Sequence, residues 1–168
     1  MAKTKEQKAA IIEKLHDAFK RAFGTVFVHF KGLSVSEEGE MRSKMKEEGV
    51  RYYVAKKKLI SRALEGSGVE GELPALEGEI AIAYDIGGEG TDPTVSARAV
   101  HAFYKKFGQE KLSIVGGIFE RSFKDAQSMN EIASIPPVEV LRGMFVNVIN
   151  SPIQRMAIAL GQIAKKKA

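Results

Sequence analysis

The stretch from Val138 to Ile163, VEVLRGMFVNVINSPIQRMAIALGQI, constrains this chain more than any other part of it. Large apolar side chains crowd it, and its only charges are Glu139, Arg142 and Arg155. Burying one such side chain fully contributes roughly 1.5–3 kcal/mol, so leaving the whole set in water forfeits a gross sum on the order of tens of kcal/mol. A helix of this kind needs a cover that a body of this size is not expected to supply. Ile153, Met156, Ala157, Leu160, Ile163 and Ala164 recur at helical spacing and form one face. Leu141, Phe145, Val148 and Ile149 extend the apolar character upstream. The segment is therefore expected to dock another protein. Folding back over its own body and lying on a membrane surface are the alternatives, the latter because of Lys165, Lys166 and Lys167. Ser151-Pro152 is expected to divide the segment into two helices, with Asn150 or Ser151 capping the second.

Length and composition bound the rest. The 168 residues suffice for one ordinary core plus an appendage. With 44% apolar and 28% charged residues the chain is globular. No cysteine is present, which removes disulfides and thiolate metal sites and fits a reducing cytosol. The start, MAKTKEQKAAIIEK, has no apolar run of signal-peptide length, and Arg142, Asn147, Asn150, Ser151 and Pro152 interrupt the longest apolar stretch, so a membrane span is not expected.

The net charge of +5 mildly favours a polyanionic partner, but its placement says more. From Met41 to Arg62 there are eight basic residues (Arg42, Lys44, Lys46, Arg51, Lys56, Lys57, Lys58, Arg62) against Glu47 and Glu48. From Glu65 to Asp92 there are eight acidic residues and no basic one. One surface is built to meet anions and another to repel them.

Periodicity and capping signals give an alternating order. Thr4-Lys5-Glu6-Gln7 has capping-box form and opens a helix that Gly24 stops. Thr25–Phe30 reads as a strand, Ser34 to Gly49 as a capped helix, Arg51–Val54 as a strand and Lys57–Leu64 as a helix. Glu65 to Glu79 reads as loop and Ile80–Tyr84 as a strand. Asp92-Pro93 starts a helix that Gly108 closes. Leu112–Phe119 is a strand in which Gly116-Gly117 mark a bulge or a close backbone approach. Ser122–Ala133 reads as helix, and Ile135-Pro136-Pro137 as a hinge. Four strands with helices between them imply an α+β or α/β sandwich, helices covering one face of a small sheet.

Catalytic and cofactor signals are weak. Gly66-Ser67-Gly68-Val69-Glu70-Gly71 matches GxGxxG in letters, but it follows a helix and runs into Glu72, Leu73 and Pro74, where a dinucleotide site needs a strand before and a helix after. Gly87-Gly88-Glu89-Gly90 lacks the Gly-Lys-Ser/Thr end of a phosphate loop. His16, His29 and His101 have no paired-ligand spacing, and no nucleophile lies beside a base. No enzyme activity, cofactor or metal is expected. Lys56-Lys57-Lys58 and Arg62 differ, because the lysines start a helix and add to its positive dipole end. Lys3, Lys5 and Lys8 offer a second arm and Lys31-Gly32 a loop contact. A merely solvated basic face is the alternative. Tyr52 and Tyr53 are the only close aromatics, so a folded RNA read by its backbone and shape fits better than a stacked single strand.

Gly32-Leu33-Ser34-Val35, Glu40-Met41-Arg42, Gly49, Val54-Ala55-Lys56-Lys57-Lys58-Leu59 and Ala63-Leu64 resemble the signature of the bacterial large-subunit ribosomal protein L ten (uL ten) family, the stalk-base proteins. Leu76-Glu77-Gly78, Ile114-Val115-Gly116-Gly117, Ile132–Pro136 and Ser151-Pro152 continue the likeness over nearly the whole chain. Two departures from the family pattern stand out. Lys57 and Lys58 stand where Asn and Thr are usual, which strengthens the charge offered to phosphate, and Glu79 replaces a small residue or proline. The resemblance implies a ferredoxin-like α+β domain over residues 1–134, a small sheet covered by helices. That domain would bind large-subunit (23S-type) rRNA beside ribosomal protein L eleven. Residues 135–168 would be a hinge plus a C-terminal helical spine carrying dimers of the acidic stalk protein L seven/L twelve, which recruit translation GTPases. By motif, Lys56 is the best-matched RNA contact, then Gly32 and Arg42. The two expected helices around Pro152 imply two dimers. The implied setting is a cytoplasmic ribosome, with no membrane. A free-standing RNA-binding translational regulator, repressing its own messenger RNA, is the second reading.

Overall fold

The computed structural model describes residues 4–70, 76, 78–86, 92–108 and 111–167. It divides into two compact units, Met1–Ile135 and Pro136–Ala168.

The first unit is built on a five-stranded antiparallel sheet with strand order β2-β3-β1-β4-β5. Its strands are β1 (Gly24–Phe30), β2 (Val50–Val54), β3 (Ile80–Asp85), β4 (Leu112–Phe119) and β5 (Ser122–Asp125). The helices are α1 (Lys5–Arg21), α2 (Val35–Glu47), α3 (Lys57–Leu64), α4 (Val95–Phe107) and α5 (Ala126–Ser134). The first four strands run in the order of a split βαβ, ferredoxin-like sheet, and the expected α+β class is what the structure shows.

Helices cover both faces of the sheet, where one covered face was expected. Side chains alternate along β1 and β3. Val26, Val28, Ala81 and Ala83 meet Met41 and Met45 of α2, Val100 and Phe103 of α4 and Met129 of α5. Phe27, Ile80 and Ile82 meet Leu15 and Phe19 of α1 and Ile60, Ala63 and Leu64 of α3. Strands buried on both sides read as continuous apolar runs, and TVFVHF and IAIAY are such runs.

The expected bulge lies in β4. Val28 pairs with Ile114 and Phe27 with Gly116, so Val115 is the extra residue. A Cβ on Gly117 would stand 2.4 Å from the Thr25 carbonyl and 2.7 Å from the Met129 methyl, which is why α5 packs closely there. The helix expected over Ser122–Ala133 is a strand and then a helix. Glu120 and Arg121 both take positive φ (51° and 60°) and join β4 to β5 in a two-residue hairpin. Asp125 then caps α5, accepting from the Ser128 amide at 3.0 Å. The helix expected at Asp92-Pro93 starts at Val95 instead. Asp92 binds the Thr94 amide at 2.9 Å and its hydroxyl at 2.7 Å in the turn before it.

The second unit is one α-helix, α6 (Val138–Lys167), of 30 residues, about 45 Å long. It runs through Pro152 unbroken, so the expected division into two helices, and a cap at Asn150 or Ser151, are absent. Fourteen helical residues precede the proline and fifteen follow it. One missing amide bond costs less than ending a helix and nucleating another. No single helix among the described residues is long and apolar enough to cross a membrane.

Candidate nucleic-acid interface and docking helix

The helix starts of the first unit are not alike. Thr4, Ser34 and Asp125 cap α1, α2 and α5, their side-chain oxygens accepting from the amides of Gln7 (3.4 Å), Glu37 (3.2 Å) and Ser128 (3.0 Å). Helices α3 and α4 start on Lys56 and Thr94 with no side-chain cap and no acid in the first turn, and of the two only α3 carries lysines there. Forgoing a cap costs about 1 kcal/mol, and each lysine set against the positive end of a helix is unfavourable by a further ~0.3–1 kcal/mol. Burial of Leu59, Ile60, Ala63 and Leu64 holds the helix in place despite this. Its first turn is thus left electropositive, with Lys56, Lys57, Lys58 and, one turn on, Arg62 all exposed.

A cleft of about 490 Å³ opens beside this turn. Ile11 of α1, Phe30 at the end of β1, Tyr53, Leu59 and Glu79 line it together with Lys56 and Lys57. Two further sequence-predicted regions, the N-terminal arm and the Lys31-Gly32 loop, adjoin its lining residues Ile11 and Phe30 along the chain. Lys8 sits one helical turn before Ile11, Lys5 lies at the start of the same helix, and Lys31 follows Phe30 directly. Gly32 takes φ +68°, a left-handed turn with open space around its Cα, and the Lys31 amide donates to the Lys111 carbonyl at 2.9 Å. Lys3 lies outside the described residues, as do Gly87–Gly90 and Gly71.

Arg42 is not part of this cluster. It belongs to α2, which packs on the opposite face of the sheet. Its guanidinium is held by Glu38 (2.6 and 3.1 Å) and lies 5.1 Å from the centre of the Tyr52 ring. Burial pushes the Tyr52 phenol up, and its hydroxyl has no hydrogen-bond partner among the described residues.

Arg51 and Tyr84 were not singled out from sequence. Strand register sets them directly opposite each other on neighbouring strands. They line two shallow concavities, of about 360 and 220 Å³, with Arg42 and Lys46 on one and Lys14 and Arg21 on the other. Arg51 stands in the basic run, but its pairing with Tyr84 is non-local and leaves no sequence signal.

The histidines are dispersed. His16 Nε2 is 2.9 Å from the Gly66 carbonyl, His29 lies against Gly78, and His101 stacks on Tyr104. Gly66 to Gly68 follow α3 as a turn, and Glu70 forms an isolated bridge with Ser122. At the end of β3, Asp85 accepts from the amides of Phe23 (3.1 Å) and Gly24 (3.4 Å), and burial pushes its carboxyl up.

On α6 the large apolar side chains are exposed without exception. Leu141 is 40% exposed, Phe145 67%, Val148 70%, Ile149 62%, Ile153 69%, Met156 67%, Leu160 57% and Ile163 53%, and Ala157 is exposed beside them. Because the helix is continuous, Leu141, Phe145, Val148 and Ile149 run on through Ile153, Met156, Ala157, Leu160 and Ile163 as one broad stripe. The segmentation that implied two dimers is not there.

The family model for "Ribosomal protein L10" matches residues 3–105. The chain is 34% identical to the large ribosomal subunit protein uL10 of Pelotomaculum thermopropionicum over 163 residues, covering 97% of this chain and 89% of that one. It is 32% identical to the uL10 protein of Alkaliphilus metalliredigens over 167 residues, 99% of this chain and 97% of that one. It is also 30% identical to that of Staphylococcus carnosus over 162 residues, 96% and 94%. The chain belongs to the ribosomal protein L10 family. As a uL10 family member it is a structural constituent of the large ribosomal subunit, part of a cytoplasmic ribonucleoprotein that works in translation. This family is structural, not catalytic.

Proposed function

We propose that this chain forms the base of the large-subunit stalk. The first unit binds large-subunit rRNA through the cations around the 490 Å³ cleft (Lys5, Lys8, Lys31, Lys56, Lys57, Lys58 and Arg62), with Gly32 admitting close backbone approach. Lys3 and, from the α2 side of the sheet, Arg42 are further contacts in this reading, and ribosomal protein L eleven lies alongside. Helix α6 carries dimers of the acidic stalk protein L seven/L twelve, which recruit GTP-bound translation factors. Pro136-Pro137 serves as the hinge between the two parts.

The observation that carries this reading is the uncovered apolar stripe of α6. Eight large apolar residues at 40–70% exposure on one helix are an interface awaiting its partner. The uncapped, lysine-rich start of α3 supports the RNA half, since phosphate supplies the negative charge that the helix end lacks.

Deletion of residues 137–168 tests both halves. The shortened protein is expected to stay folded and to bind rRNA, but to capture no L seven/L twelve. Unfolding of the first unit would mean instead that α6 belongs to its core. Replacing Lys56, Lys57 and Lys58 with Ala is expected to flatten the dependence of RNA affinity on salt, by about 0.7–0.9 in log–log slope for each phosphate no longer neutralised. An unchanged slope would make the lysines a solvated face.

A further inference from the structure

We propose that Arg51, Tyr53 and Tyr84 form a stacking platform for unpaired nucleotides of the bound RNA. The proposal rests on the reading that the first unit binds RNA, and it adds a mode of recognition that the linear sequence argued against. Side chains alternate along a strand, and Arg51 and Tyr53 are two residues apart on β2. Arg51 pairs with Tyr84 on β3, so the three share one face of the sheet. On that face Tyr53 and Tyr84 pack beside the α1 and α3 core but remain partly exposed. The diagonal spacing of such a pair is about 7–8 Å, which leaves each ring available to its own base.

The surroundings are cationic. The two concavities that meet at Arg51, Tyr84 and Ile86 are rimmed by Arg42 and Lys46 on one side and Lys14 and Arg21 on the other. Among the described residues lining these two concavities the acids are Asp17 and Asp85, and Asp85 is buried against backbone amides. Arg42 is already paired with Glu38, and Glu79 lines the Tyr53 cleft. Tyr53 also lines the cleft beside Lys56 and Lys57, so the platform continues from the lysines offered to phosphate. Cations that track a backbone, with aromatic faces between them, are what unpaired RNA requires. An acidic peptide would use the cations but gain nothing from the flat rings.

The full-length protein is titrated with a short oligoadenylate and with protein-free large-subunit rRNA, then irradiated to cross-link bases to adjacent side chains. With four tyrosines and no tryptophan in the chain, tyrosine fluorescence reports stacking directly. Quenching of that fluorescence and adducts at Tyr53 and Tyr84 are expected. Tyr84→Leu should weaken binding roughly 5- to 100-fold with the salt slope unchanged, and Tyr84→Phe should restore it. Arg51→Ala should lower the slope by about 0.7–0.9. Normal affinity in Tyr84→Leu, or adducts confined to Lys56–Lys58, would overturn the platform while leaving RNA binding intact. Cross-links from this face to a protein in assembled subunits would also overturn it. Failure to bind any RNA would overturn both readings.

Discussion

Phe27 and Phe145 are the same side chain in opposite circumstances. Phe27 is fully buried between β1's neighbours and the α1–α3 layer, and Phe145 is 67% exposed on α6. The first unit encloses its apolar residues on both faces of its sheet, whereas α6 presents its own to solvent. Apolar content therefore has two meanings in this chain. In the first unit it is the source of folding stability. In α6 it is exposed surface, and the proposed function reads it as binding free energy for another chain. A lone helix cannot bury its own stripe, because the side chains radiate from one axis and have nothing to pack against.

The contrast is sharpest when the two phenylalanines are each cut to alanine. Phe27→Ala is expected to destabilise the isolated protein by about 3–5 kcal/mol, from lost transfer free energy and the cavity left behind. Phe145→Ala is expected to change it by no more than about 0.5 kcal/mol while weakening capture of the stalk partner. Urea unfolding followed through the sheet measures the first effect, and a similar cost for both variants would break the comparison. Pro152→Ala comes next. Removing a proline from a helix interior favours the helical state by about 3 kcal/mol. Amide exchange across residues 148–156 should slow, with the unfolding midpoint of the first unit unmoved. A shifted midpoint would show that the two units unfold as one.

Elements whose causes are local were legible. The capping boxes at Thr4 and Ser34 formed as their spacing requires, and α3 and β4 fall on the expected residues. The misreadings came where tertiary structure overrode local preference. Glu120-Arg121 carries none of the Asn-Gly chemistry that marks a tight hairpin, yet pairing of β5 to β4 holds both residues at positive φ. Pro152 obeyed the cooperativity of a long helix and not its own tendency to end one. On the surface, the contiguous Lys56–Lys58 run was visible at once. Arg51 facing Tyr84 was not, since strand register between residues 33 positions apart is set by the whole sheet.

The smallest effect concerns how the first unit responds to acid. Glu37 uses both carboxylate oxygens. One accepts from Lys111 at 2.8 Å, and the other closes the α2 capping box on the Ser34 amide at 2.8 Å. These bonds, the one from Lys111 first, hold its pKa down to about 2 from 4.5. A carboxyl whose folded pKa is depressed stabilises the fold above its unfolded pKa, and loses that contribution as pH falls toward the folded value. The window for Glu37 is therefore from about pH 4.5 down to about 2. Glu37→Gln keeps a capping-box acceptor but gives up the charge. At low ionic strength the variant should melt below the wild type at pH 7, and the gap should close as pH drops through that window. Added salt should narrow the gap at pH 7, because the pair is partly exposed and so partly screened. A gap that persists unchanged at pH 2 would assign the loss to the cap alone and remove Lys111 from the account.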